Sequence, residues 1–262
     1  MKDKVEKLIR DGQKKSNVVK GSWGIFLRKI KILFQLLVNG KFRSDVKGSL
    51  NTAYRKHIAN LMKMPTIPVN DLVDWGSLEI NLKNATQNAG QTSHLELLCI
   101  LANVRQHISE NQNFLEIGTY DGNTALNVAC NLKENSKIYT IDLPYDESQS
   151  AKFAYDDALV KNPKRKLKKH KGMNNVVQIY ADSTEFDFSD ISFNGAFIDG
   201  GHDYDVVFAD TVNVITNIQK PGFILWHDYE VECEIGDILH SLIPEYDIKH
   251  IEGTRMAYLF IS

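Results

Sequence analysis

At 262 residues, 43% hydrophobic and 24% charged, the chain can bury one sizeable core and is too apolar for wholesale disorder. Its three cysteines, Cys99, Cys130 and Cys233, are far apart and odd in number, which excludes a disulfide framework or zinc knuckle and predicts reduced, packed thiols. The net charge of −2 conceals a split: residues 1–60 carry 15 Lys/Arg against 4 acids, and the remaining 202 residues carry 16 against 29. Such a division points to two regions with separate duties.

Behind the opening MKDKVEKLIRDGQKK there is no apolar h-region or small-residue cleavage site, so a secretory signal is not expected and a cytoplasmic location fits. The spacing of Trp23, Phe26, Ile30, Leu33 and Leu37 predicts a helix over 22–39, with Ser22 as cap. Arg28, Lys29 and Lys31 interrupt it, so it reads as amphipathic and basic, not membrane-spanning. It suits packing on the main domain, a homodimer contact, or the anionic inner face of a membrane. A second helix is expected over 50–63, ended by Pro65 and Pro68, and an irregular stretch over 65–90. Residues 92–108 read as a helix capped by Thr92 or Ser93.

From 112 onward, strands and helices alternate. Strands are predicted at 113–118, 137–142, 175–180, 194–199, 222–227, 246–251 and 255–261, with helices at about 122–132, 204–218 and 231–243. This implies an α/β Rossmann-like fold: a seven-stranded, mostly parallel sheet covered on both faces. Only Glu252-Gly253 joins the last two strands, so they form an antiparallel C-terminal hairpin. The expected organisation is a basic helical extension over 1–90 and a catalytic domain over 91–262. Residues 143–174 are a long insertion containing the basic run Lys161–Lys171, placed where a lid over the carboxyl edge of the sheet would stand.

FLEIGTYDGNT (114–124) is the strongest motif. An apolar strand runs into a turn at Gly118, and Gly122 opens a helix. The spacing is neither GxGxxG nor GxxxxGK[ST], so no pyrophosphate cradle is written here. Glu116 beside the turn would repel a pyrophosphate and suits a cationic ligand. Asp142 ends the next strand, where an acid can accept both hydroxyls of a ribose. Asp182 and Ser183 end the third, in reach of an adenine amino group.

LEIGTYDG, YTIDLP, ADSTEFDFS, FIDGGHDYDVV, PGFILWHDY and IEGTRMAYLFI resemble the class I S-adenosylmethionine (SAM)-dependent methyltransferases. Within that class they are most similar to the macrocin-type sugar O-methyltransferases, over about 92–262. The resemblance implies SAM contacts at Glu116, Gly118, Asp142 and Asp182, with Tyr120, Gly122 and Ser183 in the same pocket. It also implies that Asp199, His227 and Asp228 hold Mg²⁺ or Mn²⁺ and that His202 is the base, Asp199 and His202 forming the catalytic pair. The sugar enzymes carry a carboxylate where this chain has His227. A histidine there suits manganese or iron, an acceptor-orienting role, or a share of the base role. The plain alternative is that Asp199 and Asp228 cap strands and His227 is a satisfied buried histidine.

The implied function is O-methylation of a small-molecule hydroxyl, a sugar or glycolipid. Methylation of RNA or another macromolecule, gripped by the basic N-terminal region, is the alternative, and a non-catalytic SAM-binding protein is the third. Few aromatics interleave the basic stretches, which speaks against nucleic acid.

Overall fold

The computed structural model describes residues 3, 6–7, 64–85, 92–143, 173–230 and 234–262. The expected helices over 22–39 and 50–63, the basic run 161–171 and Cys233 lie outside them.

Strand β1 is Thr66–Ile67, β2 Phe114–Ile117, β3 Ile138–Asp142, β4 Val176–Tyr180, β5 Gly195–Ile198, β6 Gly222–Trp226, β7 Lys249–Ile251 and β8 Ala257–Ile261. Helix α1 is Val69–Leu72, α2 His94–His107, α3 Asn123–Ala129, α4 Tyr204–Asn217 and α5 Glu234–Leu242. One eight-stranded sheet runs in the order β1-β7-β8-β6-β5-β2-β3-β4. β2 pairs in parallel with β3 and β5, and β6 in parallel with β5, whereas β8 is antiparallel to β6 and β7. The hairpin turn at Gly253 has φ +76°, a conformation that favours glycine.

Seven strands were expected. The eighth, β1, is two residues pairing with His250 and Ile251 at the sheet edge, too short to leave a periodicity. Helix α1 and a 3-10 turn at Trp75–Ser77 are equally short elements inside the stretch expected to be irregular.

β2, β5 and β6 are buried at every position, because alternate side chains go to opposite faces and helices cover both. On one face Leu115, Ile117, Ile198, Ile224 and Trp226 pack with Val212 and Ile215 of α4 and Ile238 of α5. On the other, Phe114, Phe197, Phe223 and Leu225 pack with Ile100 and Val104 of α2 and Val128 of α3. Leu72 and Val73 join this second core. Residues 81–84 are tied to α3 and its C-terminal extension by asparagines four residues apart. Asn127 accepts from Lys83 N at 2.8 Å and donates to Asn84 O at 3.0 Å; Asn131 accepts from Asn81 N at 2.8 Å and donates to Asn81 O at 2.7 Å. Residues 64–85 are therefore built into the same body as the sheet. Among the described residues no helix is long and apolar enough to cross a membrane.

Candidate active site

The parallel ladder sets the carboxyl ends of β2, β5 and β6 side by side. Gly118 N donates to Ile141 O at 2.8 Å, Asp199 N to Ile117 O at 2.8 Å and His227 N to Ile198 O at 3.0 Å. Glu116 is buried. Thr140 donates to its carboxylate; Thr140 Oγ1 lies 2.7 Å from Thr119 Oγ1, to which Gln178 Nε2 donates at 3.0 Å. Glu116, Thr140 and Gln178 are in register on β2, β3 and β4, so this is one polar row on the α2–α3 face. Burial, reinforced by the charges of Asp199, Asp142 and Asp121, pushes the Glu116 carboxyl well above the usual range. Four acids thus lie near one another at this end of the sheet, a donor set that fits a cation and opposes an anion. Sulfonium and ammonium groups meet that requirement.

The Asp142 carboxylate accepts from the backbone N–H of Tyr120 at 3.2 Å and of Leu143 at 2.9 Å. It therefore shapes the glycine turn. Tyr120 holds φ +49° and Gly122 φ +75° there. Gly118, at φ +98°, was expected to admit a ligand; it is required first by the protein itself, because a Cβ would strike the Asp199 carbonyl. Asp182 is exposed and binds its own turn, accepting from Thr184 N at 2.9 Å and Thr184 Oγ1 at 2.7 Å. Ser183 lies beside Asp210 of α4, a residue the sequence reading missed. The only sequence signal was one acid inside the apolar run VVFADTVNVI.

Asp210 is fully buried, with no hydrogen bond of ordinary geometry to either carboxylate oxygen. Burial raises its pKa to about 6 against an opposing pull from the Ser183 hydroxyl. A carboxyl raised in the folded state stabilises most below its unfolded pKa and loses that contribution as pH rises through 6. Asp210→Asn should therefore gain stability relative to wild type between pH 4 and pH 7, by roughly 3 kcal/mol. Denaturant unfolding at the two pH values measures the difference; a pH-independent gap would contradict it.

The acceptor end lies at β5 and β6. His202 Nε2 is 2.8 Å from Asp228 Oδ2, and this contact raises the His202 pKa above its ordinary value. Arg255 Nη1 is 2.7 Å from Asp228 Oδ1. Asp199, His202 and Asp228 each bring one ligand atom to within 4.8 Å of the others. The Asp199 and Asp228 carboxylates fit a divalent cation such as Mg²⁺ or Mn²⁺ in donor type, with His202 beside them.

His227, expected among the ligands, stands behind this cluster. Its side chain is 4% exposed, Nδ1 lies 3.1 Å from Asp199 Oδ1 and 3.4 Å from Asp228 Oδ1, and Nε2 lies 3.3 Å from Glu96 Oε2. Burial alone would lower its pKa; the three carboxylates outweigh it and hold the ring above its usual value. His227 joins Asp199, Asp228 and Glu96 from behind the cluster. Glu96 and Arg255 were also missed, since nothing in the local pattern brings α2 and the β7–β8 turn to His227.

Residues 115–229 match a family described as a methyltransferase domain. No curated protein matches the chain. Among solved structures, it is similar to the O-methyltransferase NovP at 13% identity, with 62% of this chain and 79% of that one covered and a TM-score of 0.47. It is also similar to the SAH-bound methyltransferase PaMTH1 of Podospora anserina, at 13% identity, 86% and 97% coverage and a TM-score of 0.46. A third similarity is to the calicheamicin methyltransferase CalS11, at 12% identity, 57% and 72% coverage and a TM-score of 0.39.

Proposed function

We propose that the chain, whose residues 115–229 match a methyltransferase-domain family, is a SAM-dependent methyltransferase that methylates a hydroxyl of a small acceptor, a sugar or glycolipid head group. The observation that carries this reading is the His202–Asp228 pair at 2.8 Å, set on the same sheet edge as the acid pocket around Glu116. SAM supplies a sulfonium methyl group, which a hydroxyl oxygen attacks as it gives up its proton. The acid pocket holds the cationic end of that donor, and Asp142 takes the ribose hydroxyls. The His202 side chain is 66% exposed, within reach of an acceptor. Asp228 receives its Nε2–H and fixes the tautomer, so that Nδ1 takes the acceptor's proton. Asp199 and Asp228 would hold a divalent ion, which lowers the pKa of a bound hydroxyl. The basic helix expected over 22–39 would bring the enzyme to an anionic membrane surface if the acceptor is a lipid.

Methyl transfer from labelled SAM to pooled sugars and glycolipids tests this. His202→Ala should lower turnover by roughly 10²- to 10⁴-fold while SAH still binds. The heat of Mn²⁺ binding should persist in that variant and vanish in Asp199→Ala. Turnover by His202→Ala at the wild-type rate would remove the proposed base.

A further inference from the structure

Glu96 belongs to helix α2, outside the matched segment, and its carboxylate is buried at 4% exposure. Its position three residues after Ser93 makes a capping box: Ser93 Oγ accepts from Glu96 N at 3.2 Å, and Glu96 Oε2 accepts from Ser93 N at 2.7 Å. A cap accounts for those two bonds and no more. The same carboxylate makes two further contacts with residues far along the chain. Oε1 accepts from Arg255 N at 2.7 Å, and Oε2 faces His227 Nε2 at 3.3 Å. Both residues also reach Asp228: Arg255 through its guanidinium at 2.7 Å and His227 through Nδ1 at 3.4 Å.

We propose that Glu96 is a positioning residue for the acceptor end, a single buried carboxylate that fixes both the His227 ring and the Arg255 turn beside the Asp199–Asp228 pair. Its grip on Nε2 turns Nδ1 of His227 toward Asp199. Its grip on the Arg255 backbone sets the β7–β8 turn at the height from which the guanidinium meets Asp228. Burying a carboxylate is costly unless it is paired. The partners meet that demand: burial would raise the Glu96 pKa, but His227 and the N–H groups of Arg255 and Ser93 bring it down to about 2. The proposal rests on reading Asp199 and Asp228 as the acceptor end, but its test reads His227 directly and needs neither acceptor nor metal.

The test uses the full chain labelled with ¹⁵N-histidine, with the His227 ring signals assigned by their loss in His227→Gln. The wild type should show an Nε2–H signal for His227 protected from solvent exchange. Glu96→Gln should lose or displace that signal. Ser93→Ala removes the cap and should lower the melting temperature while leaving the signal in place, which separates positioning from helix stability. Glu96→Asp, which keeps the charge, should retain part of the protection. An unprotonated Nε2 in the wild type overturns the proposal even if Glu96→Gln does not fold. An unchanged signal in Glu96→Gln, or an equal displacement in Ser93→Ala, also overturns it.

Discussion

Gly118→Ala should lose about 4 kcal/mol of stability or more. Two costs add. The residue sits at φ +98°, where an L side chain costs about 1–3 kcal/mol. The new Cβ would also meet Asp199, with the carbonyl carbon only 2.6 Å away, and overpacking of this kind costs about 1–3 kcal/mol. The obstacle is backbone and cannot rotate aside. For a domain of this size the melting temperature should fall by roughly 10 °C. Asp199 would move with its carbonyl, so binding at the acceptor end should fail in whatever remains folded. Thermal unfolding beside Gly76→Ala, whose added Cβ would meet nothing closer than 3.6 Å, isolates the effect. Equal melting temperatures for the two variants would show that β2 and β5 do not approach as described.

Glu116→Gln should move stability and ligand affinity in opposite directions. Burial holds the Glu116 carboxyl above its usual range. Its contribution to stability is therefore fully present below the unfolded pKa and is lost as pH rises through the folded one. Glutamine does not ionise, so the variant should unfold at the higher temperature at neutral and alkaline pH and lose that advantage in acid. SAM binding runs the other way. A cation beside Glu116 favours the carboxylate, so wild-type binding should release a proton and tighten as pH rises through the folded pKa. Removing the charge should weaken SAM by about 10- to 100-fold, as for a hydrogen bond to a charged group, and flatten the pH dependence. Calorimetry in two buffers of different ionisation enthalpy counts the proton. Equal affinity in wild type and variant would remove Glu116 from the SAM pocket.

Continuous apolar runs made β2, β5 and β6 legible in the sequence, because strands buried on both faces need no alternation. The short connection before β8 likewise announced the reversed hairpin. β1 was not legible, since Thr66–Ile67 is held only by the hairpin it joins. At the site, Glu116, Asp142, Asp199, His202 and Asp228 stand at strand ends or just beyond them, where local sequence predicts them. Their supports depend on register or on distant chain. Thr140 and Gln178 reach Glu116 only because β2, β3 and β4 pair as they do. His227 was expected to be a metal ligand from its place beside Asp228. Glu96, from the opposite end of the domain, reaches its Nε2, and no local pattern encodes their meeting.

The most direct test of the central claim is a calorimetric titration of SAM and SAH into the wild type and Asp142→Ala. Asp142 would accept both ribose hydroxyls and also holds the Tyr120 and Leu143 amides. Micromolar binding by the wild type, weakened by roughly 100-fold or more in the variant, is the predicted result. Folded wild-type protein that binds neither ligand, or a variant that binds both as the wild type does, would contradict it.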